Sequence, residues 1–188
     1  YRSHSFPTRR SSDLSKLSSV ANALINAAKN GKEVTVQIEL QARFDEKANI
    51  KYAKLLEEQG VKLIFGIQNL KVHAKICFIE RKTAKGLEKY GFISTGNFNE
   101  STAKIYTDFT LFTHNKKILN DISKIFKFFN ANYKNFKYDH LKLSPFDTQS
   151  FFTKMIKREI KNAKKGLTAS IKIKLNSLTS YAMVEELY

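Results

Sequence analysis

A chain of 188 residues can bury one sizeable core, or one domain with part of a second, and its 42% hydrophobic and 12% aromatic content is that of a folded globular protein. The 33 Lys and Arg against 17 Asp and Glu leave a formal charge of +16, so polyanions come first among partners: nucleic acid, anionic lipid or inorganic phosphate chains. Cys77, the one cysteine, excludes an intrachain disulfide and a thiolate metal cluster and suits a reducing compartment; without a membrane-length apolar run or a visible secretory leader, the expectation is a cytoplasmic protein with no membrane span, peripheral membrane association being left open.

The first thirteen residues, which include Ser3-His4-Ser5-Phe6-Pro7-Thr8-Arg9-Arg10-Ser11-Ser12-Asp13, show neither a helical nor a strand period. They resemble the conceptual translation of a sequencing-library adapter, and are set apart as a non-native segment. From Ser18 or Ser19 as N-cap, Val20, Leu24, Ala27 and Ala28 make an apolar stripe that stops at Asn30-Gly31, which predicts an amphipathic helix. Val34, Val36, Ile38 and Leu40 then alternate with Thr35, Gln37 and Glu39, the period of a strand running toward Arg43. Asp45 can cap a helix that carries Ala48, Tyr52, Leu55 and Leu56 and closes at Gly60, before a short apolar strand from Val61 to Phe65. Strand, helix and strand in that order predict a βαβ unit with parallel strands.

After a loop from Gly66 to Asn69, the run Lys71-Val72-His73-Ala74-Lys75-Ile76-Cys77-Phe78-Ile79 reads as a strand with Cys77 in the core. Alternation then places His73 and Lys75 on one face. A polar turn from Arg81 to Lys89 leads to Tyr90-Gly91-Phe92-Ile93-Ser94 in an expected antiparallel hairpin, followed at once by the loop Thr95-Gly96-Asn97-Phe98-Asn99. Tyr106 to Phe112 alternates as a further strand, with Tyr106 and Asp108 sharing a face, and Ile118, Ile122, Ile125, Phe126 and Phe129 mark a helix. The expected class is α/β, with the first domain spanning 14–137. Beyond a polar connection, Asp147 or Thr148 caps a helix that stops at Gly166, Ile171, Ile173 and Leu175 alternate as a strand, and a last helix runs into the final residue. Residues 138–188 are therefore expected to be the incomplete start of a second domain, and the chain to be truncated at both ends.

An isolated histidine is most often a packing residue, but a histidine two positions from a lysine in an apolar strand suits attack on phosphorus. The ammonium supplies positive charge where a phosphoryl group would sit and disfavours protonation of the imidazole. Hairpin pairing would bring this pair beside Thr95-Gly96-Asn97, whose hydroxyl, amide and backbone N–H groups can donate to phosphate oxygens. Arg43, just past a strand end, has a fork suited to two phosphate oxygens; a surface pair with Asp45 or Glu46 explains it equally well. His114 and His140 read as ordinary surface or packing residues. No GxxxxGK[ST], GxGxxG, HRD or DFG motif occurs, nor an RNP signature or zinc-finger spacing.

Taken together, Val36 to Phe44 through Asn49, the Lys71 to Lys75 run, the Thr95 to Asn99 run and Lys104-Ile105-Tyr106-Thr107-Asp108 resemble the long bacterial polyphosphate kinases, over Leu14 to Tyr188. The resemblance implies a phospholipase D-like mixed sheet flanked by helices, and reversible transfer of the terminal phosphate of ATP to inorganic polyphosphate through a phosphohistidine. It implies that His73 is the nucleophile, that Lys75 and Asn97 hold phosphate, that Tyr106 contacts the nucleotide, and that Arg43 belongs to a magnesium and phosphate site. Arg2 matches a second such arginine only if residues 3–13 are deleted. Mg2+ is the implied cofactor, ATP, ADP and polyphosphate the implied partners, and a homo-oligomer the implied full-length state; no nucleic acid is expected. The domains that precede this region in the family, and the later histidine and arginine of its ATP site, are missing, so the chain as it stands is expected to be inactive. A phospholipase D-like phosphodiesterase or nuclease, which normally needs two HxK motifs where this chain has one, and a non-catalytic nucleic-acid-binding module are the alternatives.

Overall fold

The computed structural model describes residues 18–39, 46–175 and 177–188, so the adapter-like segment, Arg2 and Arg43 lie outside the described residues. Contacts divide the chain into two units, residues 1–136 and 137–188.

In the first unit, helix α1 (Ser19–Lys29) begins where the Ser18 hydroxyl accepts the Ala21 N–H at 3.3 Å, satisfying one of the free amides of the first turn. It ends at Asn30, with Gly31 in the left-handed region at φ +72°. Strand β1 (Thr35–Ile38), helix α2 (Glu46–Glu58) and strand β2 (Lys62–Phe65) follow, and β1 pairs with β2 in parallel, Thr35 facing Lys62 and Ile38 facing Phe65. The expected βαβ arrangement is therefore present. Its core is the cluster of Ile25, Leu56 and Val61, onto which Leu24, Ala28, Val34, Val36, Ile38, Leu55 and Leu63 pack. Full burial of one such aliphatic side chain is worth about 1.5–3 kcal/mol. The buried face of α1 is set by Ala21 and Ile25, while Val20, expected in the stripe, is 41% exposed.

Strands β3 (Lys75–Thr83) and β4 (Gly86–Ser94) form a nine-residue antiparallel hairpin in which Lys75 faces Ser94 and Thr83 faces Gly86. Most of the expected polar turn is thus paired strand, and only Ala84 and Lys85 turn the chain. The Thr83 hydroxyl closes that turn, donating to the Gly86 carbonyl at 3.0 Å and accepting from the Lys85 N–H at 3.3 Å. After the short helix α3 (Glu100–Ala103), strand β5 (Thr110–Thr113) pairs antiparallel with β4. The expected strand from Tyr106 is shorter than its alternation suggested, because pairing with β4 stops where β4 itself ends at Ser94. The described strands make two sheets, β1-β2 and β3-β4-β5, instead of one mixed sheet.

Helix α4 (Lys116–Asn130) is capped by the Asn115 side chain, whose oxygen accepts the Lys117 N–H at 2.9 Å. It packs on β3 and β4, burying Leu119, Ile122 and Ile125 along with Asp121, which pairs with Lys124 at 3.1 Å. Gly91 explains the fit: a Cβ there would stand 2.5 Å from the Cys77 carbonyl oxygen and 2.8 Å from a Leu119 methyl carbon. Leu119 occupies the space a side chain on β4 would need. Cys77 itself is half-buried, and burial pushes its thiol pKa up, so it stays protonated at neutral pH.

In the second unit, helix α5 (Thr148–Lys164) follows Asp147, whose carboxylate is turned back to accept the Leu143 N–H at 2.6 Å and so does not cap the helix. Helix α6 (Tyr181–Leu187) is tied to α5 by the Lys157–Glu186 ion pair at 2.8 Å and by the Gln149 amide donating to the Ser180 hydroxyl at 3.3 Å. The strand expected at Ile171, Ile173 and Leu175 is not formed; these side chains are 43–51% exposed. Alternation supplies a face for a sheet, but a strand also needs a neighbour for its N–H and C=O groups, and no described strand lies in this unit. No described helix is long and apolar enough to cross a membrane.

Replacing Gly91 with Ala should lower stability by about 1–3 kcal/mol through overpacking between Cys77 and Leu119. Urea denaturation followed by circular dichroism measures this, and an unchanged midpoint would contradict the packing described.

Candidate active site

The register of the β3-β4 hairpin positions the site. Lys75 is the first residue of β3 and faces Ser94, the last of β4. Continuing the register two residues would set His73 opposite Gly96, but β4 has ended and the chain turns away there. His73 therefore lies outside the strand that its sequence pattern suggested, in the unpaired segment 71–74, and alternation is not what relates it to Lys75. Two side chains hold this segment instead of a ladder. The Lys75 ammonium donates to the His73 carbonyl oxygen at 2.7 Å, and the Glu39 carboxylate accepts the Val72 N–H at 3.2 Å.

His73 is exposed. Its pKa is lowered, first by the positive charge of Lys75, then by partial burial, then by Lys71, so the imidazole is neutral at pH 7 with a lone pair available. The Lys75 pKa is also lowered, chiefly by burial and further by Lys71, with the Asp108 carboxylate acting in the opposite sense.

The Thr95–Asn99 loop leaves β4 beside this pair. The Thr95 hydroxyl donates to the Asp108 carboxylate at 2.9 Å and accepts the Phe109 N–H at 3.0 Å, while the Thr95 N–H donates to the Phe109 carbonyl at 3.0 Å. The Gly96 N–H is taken by the Ser94 hydroxyl at 3.1 Å. A Cβ at Gly96 would run into the Asp108 carboxylate, so glycine is required by that close approach. Asp108 thus touches the loop at two residues and acts electrostatically on Lys75.

His73, Lys75, Thr95 and Gly96 are brought into one region. Asn97 follows on the same loop, exposed, with its carbonyl accepting the Asn99 N–H at 2.8 Å. Tyr106 is 66% exposed at the bend that follows α3, two residues from Asp108, in irregular chain instead of on a strand face. Glu39 is the residue sequence reasoning missed. It counted there as one more polar position of an alternating strand, and its partner Val72 lies 33 residues away, beyond any local pattern. Among the described residues, no group of three or more His, Cys, Asp or Glu side chains could hold a metal ion.

Comparison with known proteins gives the family of the chain. The family described as "Polyphosphate kinase C-terminal domain 1" matches residues 12–135, and "Polyphosphate kinase C-terminal domain 2" matches residues 141–188. The chain belongs to the polyphosphate kinase family. Polyphosphate kinases of Salmonella typhimurium and Escherichia coli are each 45% identical to it over 175 residues, and that of Vibrio parahaemolyticus is 44% identical over the same length. These alignments cover 93% of the chain but only 25% of each relative. A crystal structure of polyphosphate kinase from Porphyromonas gingivalis superposes with a TM-score of 0.69 at 37% identity, covering 80% of this chain and 25% of that one. The chain thus corresponds to the C-terminal region of these enzymes and spans about a quarter of their length.

The electrostatic origin of the His73 shift can be tested directly. A proton titration of His73 by NMR should give a midpoint below the ordinary 6.5, and Lys75→Met should raise it, since the largest contribution is then removed. Because the folded-state pKa is the lower one, the associated stability is present above pH 6.5 and declines as pH falls toward the folded midpoint. A midpoint unmoved by the substitution would contradict the arrangement.

Proposed function

We propose that this chain is the phosphate-transferring part of a polyphosphate kinase, moving the terminal phosphate of ATP reversibly onto inorganic polyphosphate through a phosphohistidine at His73. The observation that carries the reading is the Lys75–Ser94 register, which sets an exposed, neutral imidazole flanked by lysines beside a Thr-Gly-Asn loop in a chain of this family. In the first half-reaction an imidazole nitrogen attacks the terminal phosphorus of ATP; a P–N bond forms, the P–O bond to ADP breaks, and ADP leaves. In the second, a terminal oxygen of polyphosphate attacks the same phosphorus and the P–N bond breaks, returning His73 to its neutral form. Lys75 and Lys71 lower the energy of the charge on the transferred oxygens, and Thr95, Gly96 and Asn97 border the place where the phosphoryl group would rest. The net charge of +16 favours the approach of a long polyanion.

Arg43 as a further phosphate ligand and Tyr106 as a nucleotide contact belong to the same proposal and come from the resemblance. So do the phospholipase D-like fold and a homo-oligomeric full-length enzyme; a cytoplasmic location is proposed as well, from the sequence reading of the chain itself. The described residues flanking His73 include the cations Lys71 and Lys75, and the two carboxylates of the region are already engaged, Asp108 by the Thr95 hydroxyl and Glu39 by the Val72 N–H; these described residues do not make a magnesium site, and no step above runs through the metal. Since three quarters of the relatives' length lies outside the matched region, the 188-residue chain alone is proposed to be inactive.

In a full-length enzyme containing this sequence, incubation with magnesium and ATP should add one acid-labile, base-stable phosphate, seen by intact mass, and His73→Ala should abolish it. Phosphate of that kind persisting in the variant would refute the assignment. In a coupled assay of ATP conversion to polyphosphate, the 188-residue chain should stay near background, and turnover close to that of the full-length enzyme would refute the proposed inactivity.

A further inference from the structure

We propose that Glu39 is a positioning residue for His73, acting through the backbone N–H of the preceding residue, Val72. The inference rests on the reading of His73 as the nucleophile. Segment 71–74 joins no strand pair, so the backbone direction at His73 is not set by a ladder. The hydrogen bond from the Val72 N–H to the Glu39 carboxylate at 3.2 Å takes the ladder's place, fixing the peptide group one residue before the imidazole. Glu39 is itself well anchored. It directly follows β1, and its backbone carbonyl accepts the Asn49 side-chain amide of α2 at 3.0 Å. The βαβ layer thereby reaches through one carboxylate to the segment that carries the nucleophile, while the other end of that segment enters β3 at Lys75.

The chemistry suits the task. The Glu39 side-chain oxygen reaches the Val72 amide and satisfies a donor that no strand partner takes, and it leaves the imidazole untouched. Glu39 contacts neither phosphate nor nucleotide in this scheme. Its effect is on aim, and small errors of aim matter: a displacement of about 1 Å at a reacting group can cost roughly 100-fold in rate.

Two variants of the full-length enzyme separate reach from charge. Glu39→Gln keeps an acceptor oxygen at the same distance along the side chain; Glu39→Asp keeps the charge but is one methylene too short. The expected result is a single-turnover rate of His73 phosphorylation that falls about tenfold or more in Glu39→Asp, with the affinity for ATP near that of the unsubstituted enzyme, whereas Glu39→Gln retains most of the rate. Hydrogen exchange at the Val72 amide should be faster in Glu39→Asp and little changed in Glu39→Gln. Phosphorylation of Glu39→Asp at the unsubstituted rate, or an equal loss in both variants, would overturn the proposal. His73→Ala, run alongside, tests the underlying reading by itself: full labelling in that variant would sink the nucleophile assignment whatever the two Glu39 variants do.

Discussion

The pairing of Lys75 with Ser94 is the constraint from which the rest of the site follows. An antiparallel register cannot slip by one residue without turning every side chain to the opposite face, and here it is pinned at both ends. At one end a two-residue turn is closed by the Thr83 hydroxyl; toward the other, Gly91 admits the Leu119 side chain of α4 between strand and helix. With the register held, β4 must release its chain beside the start of β3, and the Thr95 loop emerges next to the segment bearing His73. Asp108 then completes the arrangement by bonding the Thr95 hydroxyl and filling the space above Gly96.

Charge is distributed in this region with some economy. Lys75 and Lys71 both disfavour a proton on His73, which favours the neutral imidazole near neutral pH within cationic surroundings. Asp108 opposes the loss of charge on Lys75 that burial would otherwise favour, so the lysine can remain an ammonium. The same ammonium donates to the His73 carbonyl, linking the electrostatic role to a structural one. The solvent exposure of the imidazole means that these effects are screened by water in the open chain; further segments of a longer protein covering the region would strengthen them.

Sequence patterns report the structure well where it is local. Ser18 with Gly31, and the apolar residues leading to Gly60, marked the ends of α1 and α2, because caps and left-handed glycines act within a few residues. The βαβ order and the antiparallel hairpin followed from the order of elements and connection length. Alternation alone is not sufficient for a strand. His73, Tyr106 and Ile171 to Leu175 all sit in alternating runs, yet none is paired, because hydrophobic period says which residues share a face and nothing about whether a neighbouring strand is there. Of the apolar residues that mark α4, Ile122 and Ile125 are buried, and the packing adds Leu119 and Asp121.

By itself the sequence determined the family, the surplus of positive charge, the βαβ and hairpin order, and the chemistry available at His73, Lys75 and the Thr95 loop, since these depend on residue identity and short spacing. Only the tertiary structure decided that His73 stands just outside β3, that Asp108 binds Thr95 and crowds Gly96, and that Glu39 holds the Val72 amide. Each of those contacts joins residues 12 to 33 positions apart, and such distances are closed by the packing of sheets and helices, which no local period encodes.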